Sequence, residues 1–443
     1  MTSRLSEPQN RVKRRSRLPC FTSERRQAMI YLSPGSHISR FISFLALEGE
    51  YPISSLDLLG SQRELSRLID KLSVKQLIRN TATGESIERR ILLIRGKGTS
   101  RTVRLSTFAL PLLDWLGIRD SYISRFGAGS LSGNQLHIER NHRVAETAAM
   151  LLRAGIECRP WMLPELQLSE RKLITDHTMA FFARDIKQII VESLNKTKFA
   201  RYTAALFMPG CCLPIYNTRN SAMKWYGEGE RKVREDLTYV ARVNSACSAV
   251  DSAILLGRTY DVALATIQST SCDRQGLSRF DRIYPRIFYV PFGEFGIRQL
   301  ALFQVPAWRE QLLSFFFDDD VRSYNKGAFE YDAAVDGRYV LSFLDGDIAR
   351  LMRFRDAIRT YQVKSEVLCY SEQAPFLQEY LPVSVRLNPI DIGKLLDTIW
   401  ITIYQLIYLC YDTGEDFMSQ FERNKTALLE IIQKSEKELA DVT

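Results

Sequence analysis

A chain of 443 residues, 45% of them apolar, can bury more than one core, and its length predicts a globular protein of two or three domains. The formal net charge of +9 is unevenly spread. Residues 1–104 hold 20 Lys+Arg against 9 Asp+Glu, whereas the rest of the chain holds 40 against 42. The whole basic excess therefore lies in the first quarter, as expected of a module facing a polyanion; a solvated basic surface without a partner is the plainer alternative. Eight scattered cysteines without a C-x-x-C pair exclude a zinc knuckle and a disulfide framework, and predict reduced thiols and a cytoplasmic protein.

Residues 1–33 read as a basic arm, disordered until bound, serving either DNA contact or solubility. A DNA-binding module is predicted over residues 34–117. Ile38, Phe41, Ile42, Leu45 and Ala46 recur at helical spacing up to Gly49. ISSLDLL, between Pro52 and Gly60, reads as a short second helix, and Ser61 with Glu64 forms a capping box for a third that buries Leu65, Ile69 and Leu72. QLIRN, SIERRILLIRG and RTVRL follow as strands separated by turns at 81–84 and at Gly96-Lys97-Gly98. Ser106 then reads as the cap of a closing helix ended by Gly117. Two helices across a Gly-containing turn, followed by a two- or three-stranded ribbon, is the order of a winged helix-turn-helix.

A recognition helix meets base edges with its first turns. Ser61, Gln62, Arg63, Ser66, Arg67 and Lys71 are the candidates on the third helix: Gln62 suits adenine, and Arg63 or Arg67 suits guanine N7 and O6. The predicted wing adds Arg89, Arg90, Arg95, Lys97, Arg101 and Arg104 for phosphates or the minor groove. The helix residues alone would pass for the polar face of any amphipathic helix; the ribbon and the charge excess tip the reading to DNA.

Residues 118–134, rich in small residues, read as a linker. Residues 135–412 open with an amphipathic helix from His137 to Gly155 and then alternate strand-like runs (YTAALFM, LPIYNT, SAILLG, RIFYVPF, RYVLSFL, SEVLCY) with helical ones, predicting a mixed α/β domain with a central sheet and an α+β chain overall. Within it, TIWITIYQLIYLCY is too short for a bilayer span and reads as a core helix. Residues 413–443 read as an amphipathic helix that packs on its own domain or pairs with a second copy of the chain.

No strong catalytic motif appears, and no cofactor or metal is predicted. A nuclease of the restriction-endonuclease type would need carboxylates and a strand bearing Asp/Glu-x-Lys to hold Mg²⁺. Glu170-Arg171-Lys172, Asp185-Ile186-Lys187 and Glu230-Arg231-Lys232 match that triplet about as often as chance supplies, in segments read as helix or loop. Asp318-Asp319-Asp320 reads as a solvated acidic turn, and His37, His137, His142 and His177 have no metal-ligand spacing.

RTVRLSTFALPLLDWLG followed by HIERNHRVAETAAMLLRAGIECRPWMLPELQLSER resembles the replication-relaxation family of bacterial plasmids and integrative elements, as does FFARDIKQIIVESLNKTKFARYTAALFMPGCCLPIYNTRNSAMKWYGEGE. The resemblance covers residues 36 to about 260 and lies in layout; ITDHTMAFFARD stands where a Pro-Asp-Ala strand usually follows Ser-Glu-Arg. It implies a cytoplasmic accessory protein that binds double-stranded DNA in plasmid replication, DNA relaxation or conjugal transfer, beside other relaxosome or replication proteins. The competing readings are a metal-dependent nuclease and a transcriptional regulator whose large domain senses a ligand or dimerises.

Overall fold

The computed structural model describes residues 29–126, 135–159, 178–189, 201–223, 225, 228–271, 283–305, 308–323 and 329–393. Most of the basic arm, the apolar segment 398–411 and the helix predicted over 413–443 lie outside them. The described chain is mixed α/β with several sheets.

Where the sequence predicts one ribbon in the first quarter, two three-stranded sheets form. The elements run β1 (Ile30–Leu32), α1 (His37–Glu48), β2 (Glu50–Pro52), a 3-10 turn η1 (Ile53–Leu58) and α2 (Gln62–Leu72). They continue with β3 (Gln76–Asn80), β4 (Ser86–Arg89), β5 (Leu92–Arg95), a 3-10 turn at Gly98–Ser100 and β6 (Thr102–Leu105). Ser36 caps α1 by accepting from the Ser39 N–H, and Gly49, at φ +80°, closes it by donating to the Leu45 carbonyl. One sheet has the order β1-β3-β4, the other β2-β6-β5.

The predicted single strand SIERRILLIRG divides between these sheets. Ile91 and its neighbour Leu92 are both buried, which one straight strand with one covered face cannot provide, and the Ile91 N–H bonds to the Leu72 carbonyl at the end of α2. The chain therefore bends at Arg90. β1 falls inside the predicted arm: it pairs in parallel with β3, so the arm yields to structure by residue 30.

α3 (Leu110–Trp115) and α4 (Arg119–Phe126) follow. Ser106 does not cap a helix; its hydroxyl donates to the Arg90 carbonyl at 2.6 Å. α4 occupies residues read as a linker, with Tyr122 buried.

The larger part opens with α5 (Gln135–Arg153), then β7 (Glu157–Arg159), β8 (Met179–Phe182), α6 (Ala183–Ile189), β9 (Tyr202–Met208), β10 (Cys211–Arg219), α7 (Glu228–Ser245), β11 (Ser252–Gly257), α8 (Tyr260–Ser271), β12 (Arg286–Pro291) and α9 (Glu294–Leu302). Six strands pair in the order β12-β11-β10-β9-β8-β7, with β8, β9 and β10 antiparallel and β10, β11 and β12 parallel. β9 reads as an unbroken apolar run because both faces are covered. Ala204 and Leu206 face the core that contains α5; Ala205 and Phe207 face the opposite one.

A second sheet accompanies the predicted central one. α10 (Trp308–Phe316) leads to β13 (Ala333–Val335), β14 (Arg338–Ser342), α11 (Ile348–Tyr361), β15 (Ser365–Tyr370), α12 (Ala374–Tyr380) and β16 (Arg386–Ile390). Its order is β13-β14-β15-β16, parallel except at the β13–β14 hairpin, whose turn residues Asp336 and Gly337 have φ of +50° and +71°. It packs against the six-stranded sheet through Leu341, Phe343, Ile348 and Leu351.

One apolar core joins the first quarter to the six-stranded sheet. Phe41, Leu45, Tyr51 and Leu56 belong to the same cluster as Ala148 and Leu151 of α5 and Leu206, Ile215 and Ile254 of the strands. The predicted boundary at residue 117 is thus not a break in packing. Among the described residues no helix is long and apolar enough to cross a membrane.

Candidate nucleic-acid interface

α2 positions its cations by burying the opposite face. Leu65, Leu68, Ile69 and Leu72 are buried, each worth roughly 1.5–3 kcal/mol, and the Ser61 hydroxyl caps the helix by accepting from the Glu64 N–H. Arg63, Arg67 and Lys71, spaced four apart, then form a stripe on the solvent side. Gln62 and Ser61 are exposed at the start of the helix and Ser66 is half-buried on its flank. Asp70 and Glu64 are exposed beside the stripe, yet among the described residues no ion pair joins either to Arg63, Arg67 or Lys71.

The β5–β6 hairpin carries Arg95, Lys97 and Arg101, all exposed. Its tip is stiff. Gly96 has φ +77°, and a Cβ there would stand 2.3 Å from the Ser100 carbonyl oxygen, so only glycine fits. The Lys97 carbonyl accepts from both the N–H and the hydroxyl of Ser100, and the Arg101 carbonyl accepts from the Ile53 N–H, which ties the hairpin to η1 ahead of α2.

Three of the predicted wing residues stand elsewhere. Arg89 lies on β4 in the other sheet, Arg90 at the bend, both exposed. Arg104 is buried, at 9% exposure, because β6 is the central strand of its sheet and all four of its residues are covered. It pairs in register with Glu50, and burial, with Arg95 nearby, lowers its guanidinium pKa from the usual value. Arg104 cannot reach a phosphate from there. Arg79 on β3, exposed and without an ion pair among the described residues, was missed; its signal was the alternation with buried Ile78 and Asn80.

A second group of charges sits where the first quarter meets the sheet. Glu146 of α5, fully buried, accepts from the Ser55 hydroxyl at 2.6 Å, from Arg219 Nε at 2.7 Å and from Asn217 Nδ2 at 3.3 Å. Arg258 Nη2 donates to the same Ser55 hydroxyl at 3.1 Å. His142 meets Glu50 at 3.1 Å, and Arg184 meets Glu48 at 3.6 Å. Burial pushes the Glu48 carboxyl up against the opposing pull of Arg184 and Arg125; burial acts on Glu50 as well, but hydrogen bonds from His142 and Thr102 outweigh it and hold Glu50 below its ordinary value.

Two of the three acidic triplets fall on helices. Asp185-Ile186-Lys187 lies in α6 and Glu230-Arg231-Lys232 in α7, while Glu170-Arg171-Lys172 lies outside the described residues. β10 ends in Asn217-Thr218-Arg219 beside Glu146, a donor set with one carboxylate that is already paired to a guanidinium. Asp319 pairs with Arg322 at the turn after α10. Among the described residues no group of three His, Cys, Asp or Glu side chains could hold a metal. Cys158, Cys211, Cys212, Cys247 and Cys369 are free thiols, and burial pushes Cys158, Cys211 and Cys369 up to about 12, which favours the protonated form.

Comparison with protein families, with characterised proteins and with solved structures finds no match to this chain.

Proposed function

We propose that residues 34–117 act as a winged helix-turn-helix that binds double-stranded DNA, with α2 in the major groove and the β5–β6 hairpin as the wing. The observation that carries this reading is the stripe Arg63, Arg67, Lys71, without ion pairs among the described residues, beside a hydrogen-bonded hairpin bearing Arg95, Lys97 and Arg101. Unpaired exposed guanidinium groups on a helix of this kind suit guanine edges and phosphates. The sheet order β2-β6-β5, with β2 between α1 and η1, supports the same reading, since it sets the hairpin next to the helix pair. β3–β4 is then an inserted hairpin between recognition helix and wing, backed by β1.

On this reading the chain is a cytoplasmic, non-enzymatic accessory protein of a mobile element, acting in plasmid replication, DNA relaxation or conjugal transfer; that wider role rests on the layout resemblance. The Glu146–Arg219 pair favours it over a metal-dependent nuclease, because a carboxylate neutralised by a guanidinium is a poor Mg²⁺ ligand.

Fluorescence anisotropy on duplexes of random sequence and on the origin of transfer tests the reading. The double change Arg63→Ala and Arg67→Ala is expected to weaken specific binding by about 1–3 kcal/mol for each base edge that is no longer read. Unchanged affinity would remove α2 from the groove. Metal-dependent nicking of supercoiled plasmid, abolished by Glu146→Gln, would instead establish the nuclease. Tighter binding to the protein's own promoter than to the origin would point to a regulator.

A further inference from the structure

Four arginines converge on one edge of the six-stranded sheet. Arg219 ends β10, Arg258 follows β11 and Arg201 precedes the antiparallel β9, so all three stand at the same end of adjacent strands; the Arg258 N–H bonds to the Arg219 carbonyl at 2.9 Å. Arg143 of α5 lies across this end, since its carbonyl accepts from Asn217 Nδ2 at 3.0 Å. Burial lowers the Arg143 pKa, and like charge from Arg219 and Arg201 adds to this against the opposing pull of Glu139 and Glu146.

The local carboxylate does not satisfy them. Glu146 takes Arg219 through Nε, leaving Arg219 Nη2 buried without a hydrogen-bond partner among the described residues, and Arg143 Nε is in the same state. Among the described residues the side chains of Arg143 and Arg201 make no ion pair. The backbone here is also special: β10 bulges between Asn217 and Arg219, and Arg219 holds φ +56°, a conformation costly for a side chain of its size. Bulges re-aim side chains beside sites, and open α/β sheets bind ligands outside the carboxyl ends of their parallel strands.

We propose that this edge is a phosphate-binding site in which Arg143, Arg201 and Arg219 donate to the oxygens of one phosphoryl group, with Glu146 and Asn217 fixing the Arg219 fork. Three guanidinium groups that share one carboxylate hydrogen bond, with N–H donors left over, are the complement of an oxyanion, and Arg matches phosphate geometry bidentately. The phosphoryl group comes either from a nucleic-acid backbone or from a free phosphate or nucleotide. The inference stands on residues outside the module of 34–117 and does not depend on the reading of α2.

Calorimetric titration of the full chain with inorganic phosphate, against chloride at matched ionic strength, tests it. Wild type is expected to bind phosphate, and Arg143→Gln and Arg201→Gln are each expected to weaken it about tenfold, the loss of one charge-assisted hydrogen bond. Arg201 is exposed, so its variant keeps the test valid if Arg143→Gln fails to fold. Arg63→Ala with Arg67→Ala is expected to leave phosphate binding unaltered, which separates failure here from failure of the DNA reading. Competition between phosphate and a labelled duplex assigns the site to the backbone; binding without competition assigns it to a free phosphate or nucleotide. No phosphate binding beyond the chloride control, or equal binding by Arg143→Gln and Arg201→Gln, overturns the proposal.

Discussion

Arg67 of α2 and Arg350 of α11 are both helical arginines, and they do opposite work. Arg67 stands in water with no counter-charge among the described residues. Arg350 is buried and forks onto Asp332 at 2.8 and 2.7 Å, while Arg309 reaches Asp332 at 3.3 Å and Asp345 at 3.2 Å. A charge left unpaired in solvent costs the fold nothing and is available to a partner; a charge taken out of water must be matched within the chain. α2 and the β5–β6 hairpin turn their cations outward, whereas Arg350 and Arg309 are matched by carboxylates inside the fold.

The sharpest break of that contrast comes from removing one buried partner. Asp332→Ala takes the bidentate partner from Arg350, leaving it only Glu330 at 3.5 Å, and one of two carboxylates from Arg309, and is expected to cost about 3–5 kcal/mol in urea unfolding, against a change within about 0.5 kcal/mol for Arg67→Ala. A second test uses proton linkage. Burial, with Asp345 beside it, pushes the Asp347 carboxyl up to about 6, although it accepts from the N–H groups of Ile287, Ala349 and Arg350. Because the folded value lies above the unfolded one, the contribution is fully present below the unfolded pKa and is lost as pH rises through about 6. Asp347→Asn keeps the helix cap and is expected to flatten the dependence of Tm on pH between about 4 and 7, read by thermal unfolding.

Smaller effects are expected on the outward side. Gly96→Ala meets both a left-handed backbone and the Ser100 carbonyl, so it is expected to cost more than about 1 kcal/mol and to weaken duplex binding by loosening the hairpin. Lys97→Ala is expected to leave stability unchanged and to lower the slope of log affinity against log salt by about 0.9, one phosphate contact. A slope equal to that of wild type would place the tip away from DNA.

The same contrast explains what could be read from the sequence. Gly49 and Ser61 were legible because a cap and its partner lie within four residues. The strands YTAALFM and SAILLG were legible because both faces are buried and the apolar run is continuous. Arg104 was not. In RTVRL it reads as one more wing cation, and only the pairing with β2, whose Glu50 lies more than fifty residues earlier, makes β6 a central strand and draws Arg104 inside. β13 was missed although Asp336-Gly337 is a hairpin signal, because three residues are too few to show alternation. The edge arginines come from α5, β9, β10 and the turn after β11, separations that no local pattern records.

The junction also fixes an order of events. Glu50 is partnered by His142, Ser55 by Glu146 and Arg258, and Glu48 by Arg184. During synthesis the first quarter leaves the ribosome with these polar groups still open and Tyr51 and Leu56 still short of α5. It cannot complete its interior until about residue 258 has emerged. Roughly a hundred and fifty residues, or about eight to thirty seconds of translation, separate its last strand from Arg258. The DNA binding proposed for residues 34–117 would then be a property that matures late, conferred on an earlier-made part of the nascent polypeptide by a later one.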